Sequence, residues 1–272
     1  PSSTFQGMIR RGSLPKTYLR QYTIASYYII LLTKTVKNLN PMKLSDRTFK
    51  VLRNLTSINR SIQFKQGSQL STLSIQKNVL ASTDIEEIFP RDFAIYDLDE
   101  FLKICSLSED MDIDLEFEND NYVTIKGRNS KAKYFFADPS IVISPPEKMP
   151  ELPSVDCEFD ISIGQLRSLS QALSIYGNID DFSIIGSNGK ITIVVADREN
   201  KSSNTYAIKV GETDATFQFN LKSENIGKIE QSPQIVTGYH VEVSRSGVSR
   251  WVSSDDVTYL IALEPDSTYE ED

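Results

Sequence analysis

The side chains that most often perform catalysis are few in this sequence and are not spaced for it. His240 is the only histidine, and it stands between Tyr239 and Val241 in a segment that alternates like a half-exposed strand. Cys105 and Cys157 fit no metal spacing and are too few for a disulfide framework, which favours a reduced intracellular setting. Phosphate-loop, nucleophile-elbow and zinc motifs are missing from the sequence. We therefore predict no catalytic residue, no cofactor and no metal.

An acidic row near position 114 is the one feature that could attract a divalent ion. Its members alternate with apolar residues, so most of them point to one solvent face of a strand. They are Asp110, Asp112, Asp114, Glu116 and Glu118. The glycine-containing geometry of a calcium loop is missing, so we interpret the row as a solvated outer face.

A basic stripe lies on one side of a predicted helix that begins after Ser45. Arginine, lysine, asparagine and serine are side chains that contact phosphate oxygens without reading a base sequence. The stripe consists of Arg47, Lys50, Asn54, Ser57 and, just past the helix end, Arg60, with Arg53 at its border. Such a stripe is more often a solvated helix surface, and the residues alone leave both interpretations open.

Charge is distributed unevenly along the 272 residues. Six of the 29 basic side chains lie in residues 1–41, which contain no acid, so the remaining 23 face all 37 acids and give residues 42–272 a net charge of −14. A body this acidic repels nucleic acid on average. Any contact with DNA must therefore come from a local basic surface.

The elements that position these residues occur twice. In the first copy the spacing predicts a helix after Ser45, a hairpin with Ile62 and Phe64 around a turn at 66–68, and a second helix over 98–107. Strands are predicted over 79–83, 93–96, 113–117, 122–126 and 133–137.

The second copy repeats the order about 120 residues later. Ser162 caps a helix whose apolar stripe is Leu166, Leu169, Leu173 and Ile175 and which ends at Gly177. Further strands are predicted over 159–161, 182–184, 191–195, 206–210, 217–219, 239–243 and 257–263, and a short helix over 222–230. A period this long indicates duplicated domains and not a solenoid.

Composition marks the boundaries between these parts. Four prolines in residues 144–153 predict an extended, stiff connector. We accordingly predict a first domain over 42–143 and a second over 154–272. Residues 1–41 contain a basic-flanked apolar run too short to span a bilayer, and we predict an extension outside the fold, with a basic arm or a membrane-surface segment as alternatives.

Four collinear segments resemble the sliding clamp of T4-type bacteriophages, the processivity factor of the phage DNA polymerase. They are MKLS at 42–45, AIYDL at 94–98, ADPS at 137–140 and ALEPDST at 262–268. The resemblance implies an α+β DNA clamp fold with two similar domains per subunit, helices lining a central channel and antiparallel sheets outside. It also implies a homotrimeric ring around double-stranded DNA in the cytoplasm of the infected bacterial host, with no membrane association.

The partners implied are the replicative DNA polymerase and an ATP-dependent clamp loader, and the family also permits a role in late transcription. On a helix lining the channel, the basic stripe is expected to face DNA without sequence preference. The expected DNA-facing residues are Arg47, Lys50, Arg53, Asn54, Arg60, Lys103, Arg167, Lys222 and Lys228.

A partner peptide is expected in an apolar pocket near the connector and the last strand. Its candidate residues are Met149, Leu152, Ile261, Leu263 and Pro265, although the same side chains could simply pack in the second domain's core. Two rival functions stay open: a duplicated β-rich phage structural or assembly protein that ignores DNA, and a metal-assisted hydrolase using the acidic row.

Overall fold

The structure is a computed structural model that describes residues 41–107, 113–177, 179–198, 200 and 202–270. The predictions for residues 1–40 and for Asp110 and Asp112 therefore lie outside the described residues. No helix in the described part of the chain is long and apolar enough to cross a membrane.

Helix α1, Asp46–Ile58, forms as its sequence predicts. The Ser45 hydroxyl accepts from the Thr48 backbone N–H at 3.2 Å, which satisfies one of the free donors of the first turn. One face of the helix carries Val51, Leu52, Leu55 and Ile58 and is buried, so packing holds the helix once the cap starts it. The opposite face remains toward solvent.

The strands that follow α1 pair differently from the prediction. They are β1 (Ile62–Phe64), β2 (Gly67–Leu73), β3 (Val79–Phe89) and β4 (Phe93–Ile95). The predicted hairpin between the first two is wrong, because β1 pairs with β4 and β2 pairs with β3. Phe64 stacks on Phe93 with ring centroids 4.5 Å apart, and this buried contact draws β1 to β4.

The predicted first domain, residues 42–143, which we call the first repeat, ends with one helix and a small sheet. Helix α2, Leu98–Cys105, is capped by the Asp97 carboxylate and is two residues shorter than predicted. Strands β5 (Asp114–Glu116), β6 (Tyr122–Lys126) and β7 (Lys131–Phe135) form a three-stranded antiparallel sheet in that order. Met42 bridges Leu115 at the β5 edge. A single 3-10 turn, Pro139–Ile141, leads toward the connector.

The predicted second domain, residues 154–272, which we call the second repeat, opens with β8 (Cys157–Ser162) and α3 (Ile163–Tyr176). Ser162 and Gln165 form a capping box at the start of α3, and Gly177 ends it at φ 67°, a left-handed conformation that glycine adopts without strain. Ile175 was predicted on the apolar stripe, and this is wrong: the buried positions are Leu166, Leu169 and Ala172, while Ile175 is exposed.

Eight strands and one short helix complete the second repeat. They are β9 (Asp181–Ser187), β10 (Lys190–Ala196), β11 (Thr205–Gly211), β12 (Phe217–Lys222), α4 (Ser223–Ile226), β13 (Gly238–Ser244), β14 (Val248–Ser253), β15 (Thr258–Ala262) and β16 (Thr268–Tyr269). One sheet has the order β11-β10-β9-β12-β16, and the predicted turn at Asn188 and Gly189 joins β9 to β10. The predicted helix over 222–230 is wrong in length, because α4 covers only Ser223–Ile226 and Lys222 ends β12.

The two repeats meet in one continuous sheet. Its order is β2-β3-β15-β14-β13-β8, so β3 of the first repeat pairs antiparallel with β15 of the second through Leu80↔Leu260 and neighbouring positions. We call this contact the internal joint. The element order α1-β1-β2-β3-β4-α2-β5-β6-β7 recurs as α3-β9-β10-β11-β12-α4-β13-β14-β15. The α+β architecture, with mainly antiparallel sheets and few helices, is confirmed.

Candidate nucleic-acid interface

The exposed face of α1 carries two cations that project from the fold. Lys50 and Arg53 are both exposed, and the Arg53 guanidinium lies 5.4 Å from the centroid of the Phe49 ring. The ring covers one side of the guanidinium while its N–H donors remain available. Arg60, one residue beyond the helix cap, bonds Asp97 at 2.5 Å and is otherwise exposed. This face can bind phosphates through charge without contacting a base.

Arg47 is placed differently from its neighbours on the stripe. Its Nη1 donates to the Asp84 carbonyl at 2.9 Å and its Nη2 to the Asp255 carbonyl at 2.7 Å. Its Nε donates to Asp255 Oδ1 at 3.2 Å. The guanidinium therefore spans the internal joint, and each of its three nitrogens donates a hydrogen bond there.

Asn54 also faces the internal joint. Its Nδ2 donates to the Lys228 carbonyl at 3.1 Å, and its Oδ1 accepts from the Tyr259 hydroxyl at 2.8 Å. Burial raises the pKa of Tyr259, so its hydroxyl stays protonated and remains a donor. Ser57 donates to the same Lys228 carbonyl at 3.0 Å. Asn54 thus ties the repeats together.

The cations predicted on the other helices fall into two groups. Arg167 is exposed on α3, and Lys103 is exposed on α2, where it pairs with Asp99 at 2.7 Å. Lys222 is not on a helix: it bonds Asp181 at 2.8 Å, and this hydrogen bond and charge raise its pKa. Lys228 is mostly covered and donates to Asn225 Oδ1 at 3.1 Å. Lys50, Arg53 and Arg167 therefore carry the outward charge.

A groove that the sequence did not predict lies between the two repeats, and both polar and apolar side chains line it. It has a volume of about 530 Å³ and is lined by α1, α3 and the segment after α4. Ser170 bonds Gln231 Oε1 at 2.9 Å within it. The only sequence signal was the presence of serines, Ser57 and Ser170, on the exposed sides of two amphipathic helices. Hydroxyl and amide groups of this kind can hydrogen-bond a phosphate or its water shell.

The residues predicted for a partner peptide do not form one pocket. Met149 lies beside Pro146 in a small recess against Leu80 and Ser82 of β3. Ile261 is fully buried and Leu263 nearly so, which favours the core-packing alternative for these two side chains. Leu152 is half-buried and Pro265 is exposed. The recess at Met149 has a volume of about 10 Å³, which is room for one water molecule, so it is not a preformed peptide pocket.

One group of side chains on the outer sheet approaches a metal-binding arrangement. Glu158, His240 and Glu242 bring ligand atoms within 4.8 Å of one another, and His240 Nδ1 lies 2.9 Å from Asp160 Oδ1. Arg250 already binds the Glu242 carboxylate, which neutralises half of the acid pair. Glu158 and His240 are exposed on the sheet, whereas Glu242 is half-buried beside Arg250.

The other chemically reactive groups are buried or paired. Burial raises the pKa of the Cys105 and Cys157 thiols to about 12, so neither is a thiolate nucleophile at neutral pH. In the acidic row, Asp114 lies 4.0 Å from Lys43 and Glu116 lies 3.3 Å from Lys126. Neighbouring lysines thus partly neutralise the described part of the row.

Comparisons with known proteins agree on one kind of protein. A family profile described as DNA polymerase processivity factor matches residues 43–144. The sliding clamp of Vibrio phage KVP40 is 30% identical over 82% of this chain and 99% of its own length. The sliding clamps of Enterobacteria phage T4 and Escherichia phage RB69 are 29% and 30% identical over 84% of this chain and all of their own lengths.

Solved structures share the fold at low sequence identity. Proliferating cellular nuclear antigen from Entamoeba histolytica superposes with a TM-score of 0.61 at 14% identity, over 79% of this chain and 94% of that one. The A. fulgidus PCNA, bound there to the C-terminal region of FEN-1, gives 0.59 at 14% identity over 81% and 96%. These structures support the fold alone.

Proposed function

This chain belongs to the sliding clamp family, the non-enzymatic processivity factors of phage DNA polymerases, and from this premise we propose that three copies close head to tail into a ring around duplex DNA. The ring holds DNA topologically and tethers the replicative polymerase for processive synthesis. Two sheet edges carry this proposal. In the internal joint β3 pairs with β15, whereas their counterparts in the other repeat, β11 and β7, are end strands of their sheets among the described residues.

Pairing β11 of one subunit with β7 of the next would repeat the internal joint between subunits. Such a heterologous contact closes into a ring when its rotation permits. It would also cover two edges that otherwise invite uncontrolled pairing. We call this contact the subunit joint.

Burial at equivalent positions supports the subunit joint. Leu260 on β15 is 7% exposed, and its counterpart on β7, Phe135, is 66% exposed. Ile58 at the end of α1 is 6% exposed, and its counterpart on α3, Ile175, is 78% exposed. Each apolar side chain is covered inside the chain and uncovered at its open end. A second copy docked in the same way is the occupant that would cover Phe135, because its counterpart Leu260 lies on the paired strand of the internal joint.

Charge supports a DNA channel on the helix side. Lys50, Arg53 and Arg167 project from α1 and α3, and Asp46 is the one acid in these two helices, although residues 42–272 have a net charge of −14. Sparse cations and neutral hydroxyls give weak contacts to phosphate, which a ring that slides requires. The acidic outer surface would discourage DNA from binding elsewhere.

The partners follow from the same proposal. A clamp of this kind needs an ATP-dependent loader to open it around DNA. It also docks short apolar peptides of the polymerase, for which the surface around Met149 is our candidate. The A. fulgidus PCNA, which shares this fold, was solved bound to the C-terminal region of FEN-1. A late-transcription role would use the same docking mode. These activities would take place in the cytoplasm of the infected bacterium.

The proposal is tested by loading the protein with its loader and ATP onto a DNA circle and measuring polymerase product length. Longer products, lost when the circle is linearised, are expected of a ring held topologically. Light scattering on the same sample should give three subunits per particle. Unchanged product length, or a monomer at every concentration, would overturn the proposal and favour an assembly protein that ignores DNA.

A further inference from the structure

We propose that Arg47 is a positioning residue that fixes the angle between the two repeats, and that it does not contact DNA. This inference rests on the proposed ring, because the angle between repeats sets the curvature that three subunits must share. It differs from the sequence-based prediction, which placed Arg47 on the DNA-facing stripe.

The geometry at the internal joint explains why one guanidinium can have this effect. Arg47 starts on α1, reaches the Asp84 carbonyl at the middle of β3, and meets Asp255 in the turn between β14 and β15. Three elements from both repeats therefore meet at one planar group, whose five donors are held in a fixed fork. Rotation of one repeat against the other would break these bonds together.

Asp255 depends on this contact in turn. Its Oδ1 accepts from Arg47, and its Oδ2 is buried with no hydrogen-bond partner among the described residues. A carboxylate left without its cation in such a place is costly. Thr83 adds a bond from its hydroxyl to the Asp256 carbonyl at 3.1 Å, next to the same turn. The joint is thus stiffened by polar contacts beside the paired strands.

Neither half of the Arg47–Asp255 pair recurs at the subunit joint. The residue equivalent to Arg47, counted from the matching caps Ser45 and Ser162, is Gly164. The turn equivalent to 254–256 lies between β6 and β7 at 127–130, contains Arg128 and no acid, and is flanked by Lys126 and Lys131. The subunit joint would therefore have strand pairing and apolar contacts without an equivalent of the Arg47–Asp255 pair, which we call the clasp. The internal joint is the stiffer of the two, so strain from loading falls on the subunit joint.

The first test removes the clasp and compares it with a neighbouring cation. Arg47→Ala should weaken trimer formation by about tenfold in dissociation constant, since charge-assisted bonds of this kind contribute enough to shift an equilibrium by that factor. Lys50→Ala, one helical turn further along the same face, should leave trimer formation unchanged. Arg47→Lys should recover only part of the loss, because an ammonium cannot span the three acceptors.

The second test adds a clasp of opposite polarity to the subunit joint. A Cβ at Gly164 would meet only the Ser162 hydroxyl, at 3.9 Å, and an acid is favoured in the first turn of a helix. Gly164→Glu should face the basic turn of the partner subunit and slow subunit exchange by about two- to fivefold. Gly164→Ala should have no effect, and Gly164→Lys should speed exchange.

The outcomes separate this inference from the proposed ring. Subunit exchange is measured by mixing donor-labelled rings with acceptor-labelled rings of the same protein, wild type or variant. The rate at which energy transfer appears is the exchange rate. If the wild type forms no trimer, the ring itself fails. If it forms a trimer, but Arg47→Ala behaves like Lys50→Ala and the three Gly164 variants exchange alike, the positioning role of Arg47 is wrong.

Discussion

The Tyr259 hydroxyl donates to the Asn54 amide oxygen at 2.8 Å, joining β15 of the second repeat to α1 of the first. Tyr259 is fully buried on β15, and its backbone is paired with that of Ala81 on the neighbouring strand β3. One tyrosine therefore serves both the backbone ladder and the helix contact of the internal joint. Removing the Tyr259 hydroxyl would leave the Asn54 amide oxygen without this hydrogen bond. A polar group left unbonded in such a place lowers the free energy of unfolding.

Tyr259→Phe should lower the free energy of unfolding by about 1–2 kcal/mol, since the Asn54 oxygen loses its buried donor while packing is retained. Urea unfolding followed by fluorescence measures the change. Tyr96→Phe, at an exposed tyrosine, is the matched control and should change stability by less than about 0.5 kcal/mol. Equal stability of the two variants would show that the hydrogen bond contributes nothing.

Charge reversal of the outward cations should weaken DNA loading. Lys50→Glu combined with Arg53→Glu should reduce the salt dependence of loading by about 0.9 in log–log slope for each phosphate that these side chains no longer neutralise. Lys222→Gln is the control, because Lys222 is occupied by Asp181 and Glu264. Filter binding of loaded circles between low and moderate salt measures both. Identical slopes for the wild type and the two variants would remove Lys50 and Arg53 from the DNA interface.

The lowered pKa of Glu87 predicts how the free energy of unfolding changes in acid. Burial alone would raise the pKa of its carboxyl, but hydrogen bonds from Thr48 and from the Ser45 backbone outweigh burial and lower the pKa below the ordinary 4.5. A carboxyl with a depressed folded-state pKa stabilises above its unfolded pKa, and that stability is lost as pH falls through the folded value. We expect unfolding free energy to be flat near neutrality and to fall below pH 4.5.

The variant Glu87→Gln tests whether Glu87 causes this loss of stability in acid. The amide keeps the shape and an acceptor but carries no charge to titrate, so this variant should be less stable at neutral pH and should show a shallower loss in acid. Thermal unfolding recorded from pH 7 downward distinguishes the two proteins. Parallel curves at every pH would mean that other carboxyls dominate the acid transition.

Local sequence signals predicted the elements better than their pairing. Ser45 and the apolar spacing after it were enough for α1, and Asn188-Gly189 was enough for the turn between β9 and β10, because both depend on neighbours in the chain. The hairpin turn predicted at 66–68 is wrong, because Gly67 begins β2 and β1 pairs with β4, where Phe64 stacks on Phe93. Stacking between distant residues leaves no periodic trace.

The same limit applies to the candidate site. Helical spacing correctly placed Lys50 and Arg53 on an exposed face, because exposure follows from which side of α1 is apolar. It could not separate them from Arg47 and Asn54, whose partners Asp255 and Tyr259 lie 208 and 205 residues away in sequence. The division of one stripe into an outward part and a joint-forming part is set by tertiary packing.

Phe135 gives the most direct prediction about ring closure. Its side chain is on the β7 edge, and a second copy would cover it as the chain covers Leu260 at the internal joint. Phe135→Ser should raise the trimer dissociation constant by roughly tenfold to a hundredfold, because covering a phenylalanine contributes about 1.5–3 kcal/mol. Ile88→Ser, at an equally exposed apolar residue on β3, is the control and should leave assembly unchanged. Sedimentation measures assembly, and melting temperature confirms that each subunit stays folded. If both variants assemble like wild type, β7 is not the edge that the ring uses.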